Sequence, residues 1–213
     1  MNKLNEQIEN CFKEFESQQI KQQKEKEDLK SSLDKIKNSI SIIESNKNVI
    51  PCREGIIKYL YNLHKVNPAE NGLIEISGNS DNSKNINLPK ILDPDWTSDF
   101  WKSKNKENSY VKLEFKNHLV KIEKYKLHIG VYGCNLFKSW RLTGITKDNQ
   151  IIVLDEVDDS PEISYDHVDI TRQTKTQLYV CSVQLTMKGK RFNNNDYYMY
   201  LRNIELFGNL VEK

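Results

Sequence analysis

The chain has 213 residues and a formal net charge of +2, from 32 basic and 30 acidic side chains. A balance this close to neutral gives no electrostatic field that would favour a nucleic acid partner. The longest apolar runs fall well short of about 18 residues, so we predict no membrane span.

The cysteines are too far apart in sequence to indicate a metal site. Cys11, Cys52, Cys134 and Cys181 form no CxxC pair, so we predict no zinc. The first residues lack the apolar core of a signal peptide, which favours a cytoplasmic protein with reduced thiols. Cys134 and Cys181 could meet in the fold, although free buried thiols are the expected state.

Residues 1–48 contain no Gly and no Pro, and we predict that they form a long coiled-coil helix. Their apolar residues recur at spacings of three and four, with a change of phase between two blocks that indicates a stutter. A helix this polar buries little by itself, so residues 4–43 should bind another copy or another protein. A lone solvated helix is the alternative. The two blocks are Leu4, Ile8, Cys11 and Phe15, then Leu29, Leu33, Ile36, Ile40 and Ile43.

Residues 49–72 are interpreted as a linker with one short helix. Pro51 ends the first helix, and residues 54–66 show a helical pattern with Ile56, Leu60 and Leu63 on one face. Turn signals follow at 67–68 and 71–72.

The region from residue 73 to residue 210 is dominated by alternating apolar and polar residues, which predict strands with one wet face. Short strands at this spacing are typical of an antiparallel β-sandwich, and Trp140 should face its interior. The predicted strands are 73–77, 111–115, 125–131, 140–143, 151–154, 179–187 and 199–207.

Three segments carry a family resemblance: DPDWTSDFWKS at 93–103, SWRLTG at 139–144 and IELFG at 204–208. In this order they resemble the discoidin or coagulation-factor type C domain, and the helix 55–60 and the strand 73–77 resemble an intracellular protist branch of it. The likeness spans roughly 54–210. It implies a mainly β fold, a jelly-roll sandwich of the galactose-binding-like kind, preceded here by the coiled-coil helix.

The sequence also departs from the family pattern. The family motif SND is replaced by 145–149, the Trp usual after it is absent, and no cysteine lies near the end of the module. These departures argue against the extracellular ligands of secreted family members.

In discoidin-like sandwiches the loops at one end make the contacts, which here points to the turn 95–100 and the hairpin 191–197. Aromatic, guanidinium and amide groups together can bind a polar partner while covering apolar surface. A merely solvated turn is the alternative for the hairpin, and Trp101 should belong to the core. The predicted contact residues, all expected to be exposed, are Trp96, Phe100, Arg191, Asn193, Asn194 and Tyr197.

The acidic and histidine residues give no pattern typical of an enzyme, and we predict no catalysis, no cofactor and no metal. HExxH, GxSxG and glycine-rich phosphate motifs do not occur. Asp93, Asp95 and Asp99 could bind calcium, as that turn does in some family members, but capping of the turns around Pro94 is favoured. We expect His118 and His128 on wet strand faces, and the acidic run at 155–159 in a solvated loop.

Two functions follow as hypotheses. The first is a non-catalytic interaction protein whose coiled coil docks into a larger assembly, with a cytoskeletal protein as a candidate partner. Its expected location is the cytoplasm, at the cytoskeleton or a ciliary microtubule. The alternative is a carbohydrate-binding module that binds a glycan and gains avidity from oligomerisation through the coiled coil.

Overall fold

The computed structural model describes residues 18, 22–35, 49–80, 87–95, 99–130, 136–164, 168–191 and 194–213. The chain divides into two units, Met1–Lys47 and Asn48–Lys213. In the first unit, residues 22–35 form helix α1, and every residue of it is exposed. The other predicted seam positions, at 4–15 and 36–43, lie outside the described residues, so the coiled coil stays a prediction. None of the described helices is both long and apolar enough to cross a membrane.

The second unit is mainly β. In chain order its elements are β1 (Val49–Cys52), α2 (Ile56–His64), β2 (Ile74–Gly78), a 3-10 turn (Pro89–Leu92), β3 (Trp101–Lys102), β4 (Tyr110–Phe115), β5 (His118–Ile129), β6 (Trp140–Ile145), β7 (Ile151–Val157), β8 (Asp169–Gln173), β9 (Tyr179–Val180), β10 (Ser182–Met187) and β11 (Tyr200–Glu212).

These strands build two antiparallel sheets. One has the order β1-β11-β5-β8, with β3 also paired to β11 and β9 to β5; the other has the order β2-β4-β10-β6-β7. Their inner faces share one apolar core, to which β5 contributes Leu127 and β6 contributes Leu142. The alternation seen in the sequence therefore predicts the sandwich correctly, because strands such as β4 and β6 bury every second residue.

Each predicted strand is present, but three strands were not predicted. The long run 179–187 is divided at Cys181 into β9 and β10. The segment 49–72 is more than a linker and a short helix, because β1 pairs with the end of β11. That strand contains Pro51 and lies at the edge of its sheet, where a residue without an N–H is tolerated.

The N-terminus of helix α2 is capped by a carboxylate from a strand distant in sequence. It has no side-chain cap of its own, and Glu205 of β11 accepts the N–H groups of Ile57 (2.9 Å) and Lys58 (3.0 Å). Gly55 adopts φ 123°, and a Cβ there would lie 2.3 Å from Glu205 Cδ, so glycine is required. Burial raises the pKa of Glu205 to about 7, against the lowering effect of the N–H donors. Leu63, predicted to share the buried face of this helix, is instead 58% exposed.

A chain of hydrogen bonds crosses the core between the two sheets. Trp140 Nε1 donates to Tyr125 Oη (2.8 Å), and Tyr125 Oη donates to Asp155 Oδ2 (2.8 Å). Arg172 Nε donates to the same carboxylate oxygen (3.0 Å), and Lys175 Nζ lies 3.3 Å from its other oxygen. The burial of Trp140 and Trp101 confirms the prediction for both residues.

Two expectations about polar residues are wrong. The acidic run was interpreted as a solvated loop, yet Asp155 and Glu156 lie within β7, and Asp155 is fully buried. His118 was placed on a wet face, but it is only 9% exposed where β5 begins. His128 is half-buried, with Nδ1 3.1 Å from Asp169 Oδ1. The sequence pattern failed because strand alternation assigns a face but does not identify polar partners across the core.

Candidate functional site

Several connections leave the sandwich at the same end, where β5 finishes and β11 begins. Gly130 N–H donates to the Tyr200 carbonyl across that boundary (3.1 Å). The connections are tied to one another by main-chain hydrogen bonds, including Lys188 N–H to Ser139 O (2.8 Å) and Lys104 N–H to Asn79 O (2.7 Å). Backbone pairing of this kind holds the loops in fixed positions around the end of the sheets.

Two buried serines connect the segment after β3 to the segment before β11 through hydrogen bonds. Ser103 Oγ accepts the Met199 N–H (2.8 Å) and lies 3.0 Å from Ser109 Oγ. Ser109 Oγ lies 2.7 Å from the Lys106 carbonyl oxygen and 3.1 Å from that of Tyr197. Both serines have no exposed surface, so their hydroxyls satisfy backbone groups that water cannot reach.

The pairing of β3 with β11 gathers a set of large side chains on one face. Lys102 lies directly opposite Tyr200 in the register. Phe100 and Tyr198 each precede one member of that pair by two residues, and side chains two apart in extended chain share a face. We call the resulting group the aromatic–cationic cluster; it consists of Phe100, Lys102, Arg191, Asp196, Tyr198 and Tyr200.

Within the aromatic–cationic cluster the rings surround an ammonium group. Lys102 Nζ lies 3.8 Å from the centroid of the Tyr198 ring and 5.4 Å from that of Tyr200. The Phe100 ring centroid is 5.1 Å from the Tyr200 centroid, and the two tyrosine rings are 6.2 Å apart. Phe100, Lys102 and Tyr198 are half-buried, whereas Tyr200 is buried. Cation–π attraction therefore holds the ammonium where it is only partly solvated.

Arg191 is a support of this cluster and not the exposed loop residue that was predicted. It is only 8% exposed, and its guanidinium binds both carboxylate oxygens of Asp196. Its Cζ lies 5.0 Å from the Tyr200 centroid. The hydrogen bonds from Arg191 hold the pKa of Asp196 below its usual value, and the charge of Lys102 adds to this. Truncating Arg191 would leave Asp196 without its guanidinium, so we expect this change to destabilise the fold.

The remaining predicted contact residues are distributed as follows. Phe100 belongs to the cluster, and Tyr197 is half-buried beside it, with its N–H donating to Asn105 Oδ1 (2.8 Å). Asn194 is exposed, and its N–H donates to the Arg191 carbonyl (3.3 Å). Trp96 and Asn193 lie outside the described residues.

Lys102, Tyr198 and Tyr200 were missed as site residues. Tyr200 was predicted only as part of the strand 199–207, and no role was assigned to Tyr198 or Lys102. The signal was present in the sequence, as Phe-x-Lys at 100–102 and Tyr-x-Tyr at 198–200. These two motifs indicate a shared face only when β3 is known to pair with β11.

The acidic turn is organised as a set of local hydrogen bonds. Asp93 Oδ1 accepts the Asp95 N–H (3.0 Å), and the two oxygens of Asp99 accept from the Phe100 N–H (2.8 Å) and Asn87 Nδ2 (3.0 Å). The contact of Asp93 agrees with the favoured interpretation of this residue as a turn cap, whereas Asp95 takes part as the N–H donor. Among the described residues no group of three or more His, Cys, Asp or Glu could hold a metal ion. Cys52 and Cys181 are free thiols, and the other two cysteines lie outside the described residues.

No protein-family model matches the sequence. No curated protein matches it either. Solved structures do resemble the fold. A family 89 glycoside hydrolase from Clostridium perfringens has a TM-score of 0.50 at 9% identity, over 64% of this chain and 14% of that enzyme. At this identity the similarity shows the fold alone, that of an antiparallel β-sandwich.

Two individual modules from the same organism are similar over most of their length. One is the family 32 carbohydrate-binding module of C. perfringens NanJ in complex with galactose, with a TM-score of 0.49, 6% identity and coverage of 64% of this chain and 94% of the module. The other is CpGH89CBM32-5 in complex with GalNAc-β-1,3-galactose, with a TM-score of 0.48, 16% identity and coverage of 64% and 96%. At these identities the likeness concerns the fold alone.

Proposed function

We propose that the sandwich is a non-catalytic carbohydrate-binding module whose contact surface is the aromatic–cationic cluster. This is the second of the two functions predicted from the sequence. The cytoskeletal or ciliary scaffold, with its protein partner, gains no support from the comparisons, and the cytoplasmic location stays a prediction. Two of the similar modules were solved with galactose-containing ligands, so such glycans are the first to test.

The observation that carries the proposal is the placement of half-buried aromatic rings at one end of the sandwich. Phe100 and Tyr198 both keep part of their surface accessible. An aromatic ring packs on the apolar face of a sugar ring, while nearby polar groups orient the hydroxyls. Asn194 and Asn195 are exposed next to the cluster and provide amide donors and acceptors. The pair formed by the buried Arg191 and the half-buried Asp196 fixes the rings, which reduces the ordering cost of binding.

Removing the Tyr198 ring should abolish most of the binding. The full chain would be applied to an array of neutral and acidic glycans, and the Kd of the best ligand would be measured for wild type and Tyr198→Ala. We expect the variant to bind at least about tenfold more weakly, as hot-spot truncations do.

The matched control is Phe207→Ala. Phe207 is a half-buried aromatic residue on β11, the strand that follows Tyr198, and it too lies beneath a lysine, with Lys124 Nζ 4.4 Å from its ring centroid. Its removal should leave glycan binding unchanged. Failure of the wild-type chain to bind any glycan on the array, or equal losses in the two variants, would contradict the proposal.

We further propose that helix α1 joins several modules into one particle. Leu29 and Leu33 are 71% and 50% exposed and lie four residues apart on one face of the helix. Light scattering of the full chain should give a multiple of the 25.0 kDa chain mass, and the double change Leu29→Ser, Leu33→Ser should lower it. The control is Lys26→Ser, Lys30→Ser on the same helix, which should not. A wild-type mass of one chain would refute the association.

A further inference from the structure

The charge of the aromatic–cationic cluster indicates which glycans it should prefer. We propose that the cluster selects acidic glycans, those carrying a carboxylate or a sulfate group, and that the Lys102 ammonium contacts the anion. The inference rests on the glycan-binding function proposed above and specifies the ligand class of the same surface.

The first step is that Lys102 forms no ion pair among the described residues. Its ammonium lies over the rings of Tyr198 and Tyr200, and its charge also acts on Asp196, whose two oxygens are bound by Arg191. Lys188, at the same end of the sandwich, is saturated by comparison, with Glu156 and Asp158 oxygens each 2.6 Å from its Nζ. A half-buried ammonium without a carboxylate is a site where a ligand anion can be bound through a charge-assisted hydrogen bond.

The second step is that the neighbouring carboxylates are already engaged. Both oxygens of Asp196 are bound by Arg191. Asp99, next to Phe100, accepts hydrogen bonds from the Asn87 side chain and from a backbone N–H. With Asp196 neutralised by Arg191, the charge that the cluster presents to a ligand is that of Lys102.

The third step is that the surroundings are basic. Lys104 and Lys106 are exposed on the loop that follows β3, and this loop is tied to Tyr197 through Asn105. Lys190 is exposed in the other connection, with its Nζ held by Asn195 and 5.8 Å from the Tyr197 ring centroid. The exposed acidic residues nearby are Glu107 in the loop after β3 and Asp99 next to Phe100, so the three lysines outnumber them. The surface around the cluster therefore attracts anions over the range of the Debye length.

The last step concerns the geometry of stacking. One face of the Tyr198 ring is covered by the ammonium at 3.8 Å. A sugar ring that approaches this face meets three N–H donors before it meets the aromatic surface. A neutral hydroxyl can accept a hydrogen bond from the ammonium, but a charge-assisted hydrogen bond to a carboxylate or sulfate oxygen is stronger. The arrangement thus favours a ligand with its anion over Lys102 and its ring against the accessible aromatic surface.

The test compares ligands that differ only in charge. The full chain is titrated with an oligosaccharide of uronic acid units, with the same oligosaccharide after reduction of its carboxyl groups to alcohols, and with a sulfated form of the reduced one. Each Kd is measured at low and at high salt. We expect the two acidic ligands to bind about tenfold more tightly than the neutral one at low salt, with the difference decreasing as salt rises.

Variants of Lys102 assign the effect to the cluster. Lys102→Met keeps an aliphatic side chain of similar length but removes the charge, and it should weaken acidic binding about tenfold and neutral binding by clearly less. Lys102→Arg should retain the preference. The control Lys124→Met removes an equivalent lysine from above the Phe207 ring and should change nothing. Chemical denaturation confirms that each variant is folded.

The outcomes separate this inference from the function on which it rests. Equal affinity for the acidic and the neutral oligosaccharides, or equal losses in the Lys102 and Lys124 variants, would overturn the inference and leave glycan binding in place. Absence of binding to all three ligands and to the glycan array would overturn the proposed function itself. Tighter binding of the uronate or of the sulfated ligand would identify which anion the site prefers.

Discussion

Asp155→Ala should destabilise the sandwich by about 3–5 kcal/mol, the loss typical of breaking a buried ion pair by removing one partner. Asp155 is fully buried and lies 3.0 Å from Arg172 Nε and 3.3 Å from Lys175 Nζ. Without it, the guanidinium loses its charge-assisted partner, and the Tyr125 hydroxyl loses its acceptor inside the core. Chemical denaturation of the full chain measures the loss of unfolding free energy. The dependence of that free energy on denaturant concentration should be the same for wild type and variant.

A matched control is available one residue along the same strand. Glu156 carries the same charge and binds Arg141 and Lys188, but on the outer surface of the sheet. Glu156→Ala should therefore have a much smaller effect than Asp155→Ala, since exposed ion pairs contribute little. Similar losses in the two variants would show that burial does not determine the contribution of Asp155. A double-mutant cycle with Arg172→Ala isolates the pairwise part.

The same carboxylate should make the stability depend on pH. Burial raises the pKa of Asp155, but the hydrogen bonds from Arg172, Tyr125 and Lys175 outweigh this and hold it below its usual 3.8. A carboxyl group whose pKa is lower in the folded protein stabilises the fold above that usual value, and this stability is lost as the pH falls through the folded pKa. Between about pH 6 and about pH 3, wild type should thus lose more stability than Asp155→Asn, in which position 155 does not titrate.

The alternation of apolar and polar residues was sufficient to predict the sandwich but not its shortest strands. The run at 140–143 identified Trp140 as inward-facing because one face of each strand is buried. Strand β3 has two residues, too few for any alternation. Strand β1 contains a proline, which in a sequence predicts the end of a regular element. These strands exist because β11 offers backbone partners at both of its ends, to β3 at Tyr200 and Leu201 and to β1 at 208–211, which is a property of the fold and not of their own residues.

The polar residues that matter most could not be assigned from local sequence. Asp155 stands in an acidic run, and such runs are usually solvated; only the position of Tyr125 and Arg172 on the other sheet makes its burial possible. Arg191 lies in a polar hairpin, and it is buried because the rings of Tyr198 and Tyr200 pack against its guanidinium. In both cases the decisive partner is remote in sequence or on another strand, where pattern reasoning has no information.

Trp140→Ala should cost about 3–5 kcal/mol of unfolding free energy, comparable to the loss expected at Asp155. The side chain is fully buried, and its ring lies edge-on to Phe137, with centroids 6.1 Å apart and an interplanar angle of 85°. Truncation would leave a cavity in the centre of a close-packed core and would remove the donor to Tyr125. The measurement is again chemical denaturation of the full chain.

Trp140→Phe separates the two contributions, because phenylalanine retains most of the apolar volume and lacks the Nε1 donor. It should lose only part of what alanine loses, mainly the hydrogen bond to Tyr125 and the contacts of the missing ring. Since Trp140 and Asp155 belong to one hydrogen-bonded chain, the double variant Trp140→Ala, Asp155→Ala should lose less than the sum of the single losses. A loss below about 1 kcal/mol for Trp140→Ala would contradict the central position of this tryptophan, because truncation of a core aromatic residue costs more than an ordinary surface change.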